Sequence, residues 1–200
     1  MAINIIQCFL NTENTITVLG SSLAAYIRRQ NMSHLWSERE KGVVDTVVIH
    51  FISAADTRPE TPYHLESILA IFCTYGVSSH YLVDREGVVR QLVPEDKKAW
   101  HCGGSIMPEP DSRQGVNEFS IGIELVAQVD SGYTDAQYDS LASLCCDIET
   151  RWNIFSYVGH EDIAGSRAVA LGLRSDVKPD PGPLFNWKHF YALKNNLPIS

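Results

Sequence analysis

The chain has 200 residues, of which 44% are hydrophobic and 20% charged, a composition that suits one globular domain with a full apolar core. Sixteen basic residues against 24 acidic ones leave a net charge of −8, which disfavours nucleic acid as a partner because phosphate contacts need clustered Lys and Arg. There is no run of about 18 or more apolar residues, so no membrane span is expected.

Residues 1–40 carry the weakest pattern and are expected to be an N-terminal extension packed on a main domain over 41–200. Within the extension, Ile3 to Leu10 suits an edge strand and Ser21 to Gln30 a short helix. The apolar N-terminus has no basic leader and is soon broken by Asn11 and Glu13, so it does not resemble a signal peptide. The five cysteines, Cys8, Cys73, Cys102, Cys145 and Cys146, form no CxxC pair, and the last two adjoin within a helical pattern. Such usage favours a reducing compartment, and the cytoplasm is the expected location, with export by an unrecognised route to the periplasm or exterior as the alternative.

Val43 to Ile49 is a nearly continuous β-branched run, which predicts a central strand buried on both faces and ending on His50. Thr61-Pro62 predicts a helix start, with Thr as N-cap and Pro in the first position. Leu65, Ile68, Leu69 and Phe72 follow at helical spacing, and Gly76 stops the run. Ser79 to Val83 and Val88 to Val93 predict a hairpin around Asp84-Arg85-Glu86-Gly87. Phe119 to Leu125 is a further strand, in which Gly122 leaves room for another segment or a ligand against the backbone. Thr134 and Gln137 make a capping box ahead of Tyr138, Leu141, Leu144, Cys145, Ile148 and Trp152, and a last helix is expected over Leu184 to Asn195. Strands interleaved with helices predict an α/β fold, a single domain with a central mixed β-sheet flanked by helices.

Chemistry concentrates at a few positions. His50 is expected at a strand end, where sites commonly form, and His160 follows Gly159 after a long helix. Asp180 lies between Pro179 and Pro181, a context in which Asp often serves a turn. Glu124 is the one charge in its apolar strand and must be paired or face a cleft, since burying a lone charge is costly. Two imidazoles and one carboxylate leave a fourth tetrahedral position open for water, as a catalytic zinc site requires. His50, His160 and Asp180 are therefore candidate ligands of one zinc ion, and the chain reads as a zinc hydrolase.

Five segments taken in order carry a closer likeness. They are Val47-Val48-Ile49-His50, Ser79-His80-Tyr81-Leu82-Val83-Asp84, Ala99-Trp100-His101, Asn117 through Glu124, and Gly159-His160-Glu161-Asp162-Ile163-Ala164 with Lys178-Pro179-Asp180-Pro181-Gly182-Pro183. Together they resemble the type 2 N-acetylmuramoyl-L-alanine amidases, the AmpD-like and peptidoglycan-recognition superfamily. The resemblance implies zinc on His50, His160 and Asp180, with Glu124 and Lys178 as the catalytic pair. Trp100, His101 and Asn117 would lie at the substrate groove. It also implies peptidoglycan fragments (muropeptides) as partners and hydrolysis of the amide between the muramic acid lactyl group and L-alanine. Two alternatives stay open: a non-catalytic module that binds such fragments, and a zinc peptidase acting on the stem peptide. The chain departs from compact relatives by an apparent insertion over Gly165 to Val177, by Cys102 after His101, and by Phe51 after His50.

Overall fold

The computed structural model describes residues 3–11, 33–40 and 42–197. The helix expected over 21–30 lies outside the described residues. A six-stranded sheet is built from β1 (Ile5–Gln7), β3 (Thr46–Ile52), β4 (Tyr81–Val83), β5 (Val89–Gln91), β7 (Ser120–Val126) and β8 (Ser156–Gly159), in the spatial order β1-β5-β4-β7-β3-β8. β4 and β5 are antiparallel and every other neighbouring pair is parallel, so the sheet is mixed, as expected. β1 takes the edge, and β2 (Trp36–Glu38) pairs separately with β6 (Lys97–Ala99).

Local chemistry explains most boundaries. In the β4–β5 hairpin the Asp84 carboxylate accepts from the backbone N–H of Glu86 and Val88 at 3.1 and 2.8 Å, while Gly87 takes φ 80°. Helix α1 (Leu65–Tyr75) closes on Gly76 in the left-handed region, φ 62°, with its N–H on the Phe72 carbonyl. Its start differs from the expected one. His64 is the N-cap, while the carbonyls of Thr61 and Pro62 are taken by His64 N–H and Ala54 N–H, so Thr61-Pro62 forms a turn tied back to the segment after β3.

Helix α2 (Asp135–Glu149) opens with both halves of the expected capping box, Thr134 and Gln137 each accepting from the other's backbone N–H at 3.1 Å. Two short helices follow β8: α3 (His160–Ile163) and α4 (Ser166–Ala170), the latter inside the apparent insertion. Helix α5 (Trp187–Asn196) begins later than expected because Gly182 to Phe185 first makes a turn, and Asn186 then caps the helix through its side chain.

Both sheet faces are covered. On one, Val47, Ile49, Ile121, Ile123 and Leu125 pack with Tyr138, Leu141 and Leu144 of α2 and Phe190 of α5. On the other, two apolar clusters divide the surface. Leu82 and Val126 join Ile68, Leu69 and Phe72 of α1, while Val48 joins Cys102, Phe119, Val158 and Ile163. The alternation of strand side chains puts His50 between Val48 and Ile52, and Gly122 and Glu124 ahead of Val126, on this divided face. All five cysteines are unpaired, and no helix among the described residues is long and apolar enough to cross a membrane.

Candidate metal centre and active site

β3 extends two residues beyond His50, so this histidine lies within the strand and not at its end. In the parallel β3–β7 ladder His50 stands opposite Glu124, and in-register residues share a face. His160 arrives from the other flank: Gly159 closes β8 opposite Ile49, and His160 opens α3. A Cβ on Gly159 would stand 2.6 Å from Pro181 Cδ, so a glycine is needed for the Pro-rich segment to pack there. Glu161 N–H then donates to the Asp180 carbonyl at 2.8 Å, clamping the carboxylate beside the two rings.

The three side chains converge. His50 Nδ1 and His160 Nδ1 lie 3.0 and 3.1 Å from the same oxygen, Asp180 Oδ2, and all three residues are buried. Burial, and after it the neighbouring His160, lowers the His50 pKa to about 4. Burial opposes charge on Asp180, but its contacts with His160 and His50 outweigh it and hold the carboxyl below the ordinary range. At neutral pH His50 is thus neutral and Asp180 an anion, the protonation forms in which these two side chains bind a metal.

Proton bookkeeping sharpens this. His160 Nε2 lies 3.2 Å from the Cys102 carbonyl, which can only accept, so the His160 proton belongs on Nε2 and its Nδ1 presents a lone pair to Asp180. His50 Nε2 meets His101 Nδ1 at 3.0 Å on its own outer side. With the His50 proton on Nε2 as well, two lone pairs would point at one carboxylate oxygen, 3.0 and 3.1 Å away. Such an arrangement is repulsive unless a cation lies among them, and a Zn²⁺-type centre with N,N,O donors and an open position fits it. A second grouping, His50 with His101 and Cys102, also brings ligand atoms together. Its His50 and His101 nitrogens already face each other in a hydrogen bond, which makes it the poorer cation site.

Glu124 and Lys178 both line the cleft of about 350 Å³ over this centre. Glu124 is buried, and its Oε2 has no hydrogen-bond partner among the described residues. Burial, then the Asp180 charge, pushes its carboxyl well above the usual range, while Lys178 pulls it down. An unpartnered buried carboxylate oxygen needs an explanation, and a reacting group in the cleft supplies one.

The three residues expected at the groove all line the cleft, and each also has a partner within the protein. Trp100 Nε1 donates to Ser37 Oγ at 3.2 Å on β2. Asn117 Oδ1 accepts from the backbone N–H of His101 and Cys102 at 3.1 and 2.8 Å, holding that turn. His101 lies flat over Gly122, where a Cβ would come within 2.5 to 2.8 Å of the ring. The close approach expected at Gly122 is therefore that of an imidazole. From the apparent insertion, Arg174 reaches the cleft and the carbonyls of Cys102 and Gly104, both at 3.4 Å.

The reading of the sequence missed Ser120 and Arg174. Ser120, Gly122 and Glu124 fall at i, i+2 and i+4, one non-apolar face of an otherwise apolar strand, and that alternation was a usable signal. Arg174 had none, because its reach depends on how a loop folds back.

Residues 40–183 match the model of one protein family, described as N-acetylmuramoyl-L-alanine amidase. The chain belongs to this amidase family. Among curated relatives, the 1,6-anhydro-N-acetylmuramyl-L-alanine amidase AmpD of Salmonella typhimurium (strain LT2) is 44% identical over 117 residues, 58% of this chain and 57% of that protein. The chain thus matches less than two thirds of such relatives' length. A crystal structure of an AmpD derivative superimposes with TM-score 0.61 at 34% identity, covering 79% of this chain and 89% of that one. The amidase AmiD from E. coli, solved as a complex with anhydro-N-acetylmuramic acid-L-Ala-D-gamma-Glu-L-Lys, gives 0.59 at 32% identity, covering 75% and 57%. The amidase match begins just before β3 and ends just after Asp180, so it contains all eight residues singled out for the site.

Proposed function

We propose that this chain is a zinc-dependent amidase that hydrolyses the bond between the lactyl group of N-acetylmuramic or anhydromuramic acid and L-alanine in peptidoglycan fragments. The observation that carries the reading is the approach of His50 Nδ1 and His160 Nδ1 to the same Asp180 Oδ2, at 3.0 and 3.1 Å, in a cleft that also holds an unpartnered Glu124 oxygen. The family match and the substrate named in the AmiD complex support the choice of bond.

His50, His160 and Asp180 would hold the ion. Zinc bound there would supply Lewis acidity to the scissile carbonyl and make the attacking water more acidic. Glu124 takes the proton of the attacking water and passes it to the departing L-alanine nitrogen, since an unprotonated amine anion is a very poor leaving group. Lys178, two residues from Asp180, offers its ammonium to the oxyanion that develops on the carbonyl oxygen. Residues 41–200 form the amidase domain in this reading. The unpaired thiols support a reducing compartment, hence action on soluble fragments during wall recycling.

Incubating the zinc-loaded protein with soluble anhydromuropeptides and with intact sacculi, followed by mass spectrometry, tests the proposal. The expected products are a free peptide beginning with L-alanine and a muramic acid carrying an intact lactyl carboxylate. Cleavage inside the stem peptide, or binding without any product, would overturn it.

A further inference from the structure

We infer that His101 is a positioning residue: relayed from Ser120, it fixes the tautomer of His50 and aims the His50 Nδ1 lone pair at the point shared with His160 and Asp180. This rests on the reading of His50 as a metal ligand.

A chain of hydrogen bonds runs inward from a backbone carbonyl. Ser120 Oγ lies 2.7 Å from the Val116 carbonyl, which can only accept, so the single hydroxyl proton is committed there. His101 Nε2 lies 3.2 Å from the same Ser120 Oγ, which is left to accept, and Nε2 must carry the His101 proton. His101 Nδ1 is then bare. It faces His50 Nε2 at 3.0 Å and the Cys102 thiol at 3.1 Å, both able to donate. His50 therefore keeps its proton on Nε2, and Nδ1 is left open.

The direction matters because the competing tautomer has a willing partner. A proton on His50 Nδ1 would donate to Asp180 Oδ2, 3.0 Å away, and tie up two ligand atoms in one hydrogen bond. The chain Val116–Ser120–His101–His50 works against that outcome. A separate feature holds the ring in place: it rests on Gly122, where any side chain would collide with it. Ser120 and Gly122 alternate on the same face of β7 that carries Glu124, so one strand supplies the anchor of the relay, the bed for its ring and the proposed proton carrier.

Two measurements test this. In ¹⁵N-labelled protein the imidazole spectrum should show His101 protonated on Nε2 and bare on Nδ1, with or without zinc. Zinc affinity from chelator competition should fall about 10- to 100-fold in His101→Leu, the range typical when an outer partner of a metal-binding histidine is removed. His101→Gln, whose Oε1 can accept from His50, should recover most of the loss. A His101 protonated on Nδ1 overturns the inference, and so does a folded His101→Leu variant that binds zinc as wild type does. If His101→Leu fails to fold, Ser120→Ala decides: it should mix the His101 tautomers and weaken zinc, and an unchanged spectrum refutes the relay. Wild-type protein that takes up no zinc would refute the metal reading instead, and the metal-free His101 spectrum would still judge the relay.

Discussion

His50 and Glu124 stand opposite each other in the β3–β7 ladder, a histidine in the cation-ready triad beside a buried carboxylate with a free oxygen. Parallel pairing fixes their separation through the backbone, which is far stiffer than a loop. The same ladder carries Gly122 opposite Val48 and Ser120 opposite Thr46, so errors of register would displace the site as a unit.

Glu124→Gln removes the proton carrier without changing side-chain shape. Zinc content by elemental analysis should match wild type while turnover on an anhydromuropeptide drops by at least about two decades. Near-normal turnover would take Glu124 out of the mechanism.

The same variant makes a separate statement about pH in the metal-free protein. Burial first, and then Asp180, raise the folded pKa of Glu124. Stability contributed by the carboxyl is therefore fully present below its unfolded pKa of about 4.3 and is lost as pH rises through the raised folded value. Glutamine does not titrate. With a chelator present, Glu124→Gln should melt close to wild type near pH 4 and above it near pH 8, and a difference that ignores pH would contradict the burial seen here.

His160→Ala should abolish tight zinc binding, because it leaves one imidazole and one carboxylate. Wild-type protein should also be more stable with zinc than with chelator, by about 2.7 kcal/mol when free zinc is a hundredfold over the dissociation constant, and so melt at a higher temperature. The variant should lose that difference, and a melting curve still sensitive to zinc would move His160 out of the ligand set.

Lys178→Met keeps the unbranched stem of the side chain and deletes its charged end. We expect kcat to fall by about two decades, as when an oxyanion partner is removed, with zinc content and KM little changed. A loss confined to KM would make Lys178 a substrate contact.

The chain's own patterns determined a good deal. Period-two and helical alternation marked the strands and the long helices, and Glu124 stood out as a charge among apolar strand neighbours. The capping box of α2 and the Gly76 stop are legible for the same reason: both involve residues within about one helical turn, whose backbone bonding is local. The start of α1 was misread because Thr61-Pro62 also satisfies a turn, and the choice was made by the Ala54 N–H from another segment. Only the tertiary structure decided which atoms of His50 and His160 look inward. That depends on where the Val116 and Cys102 carbonyls fall, and a carbonyl distant in sequence can set a tautomer only once folding has brought it within hydrogen-bond range.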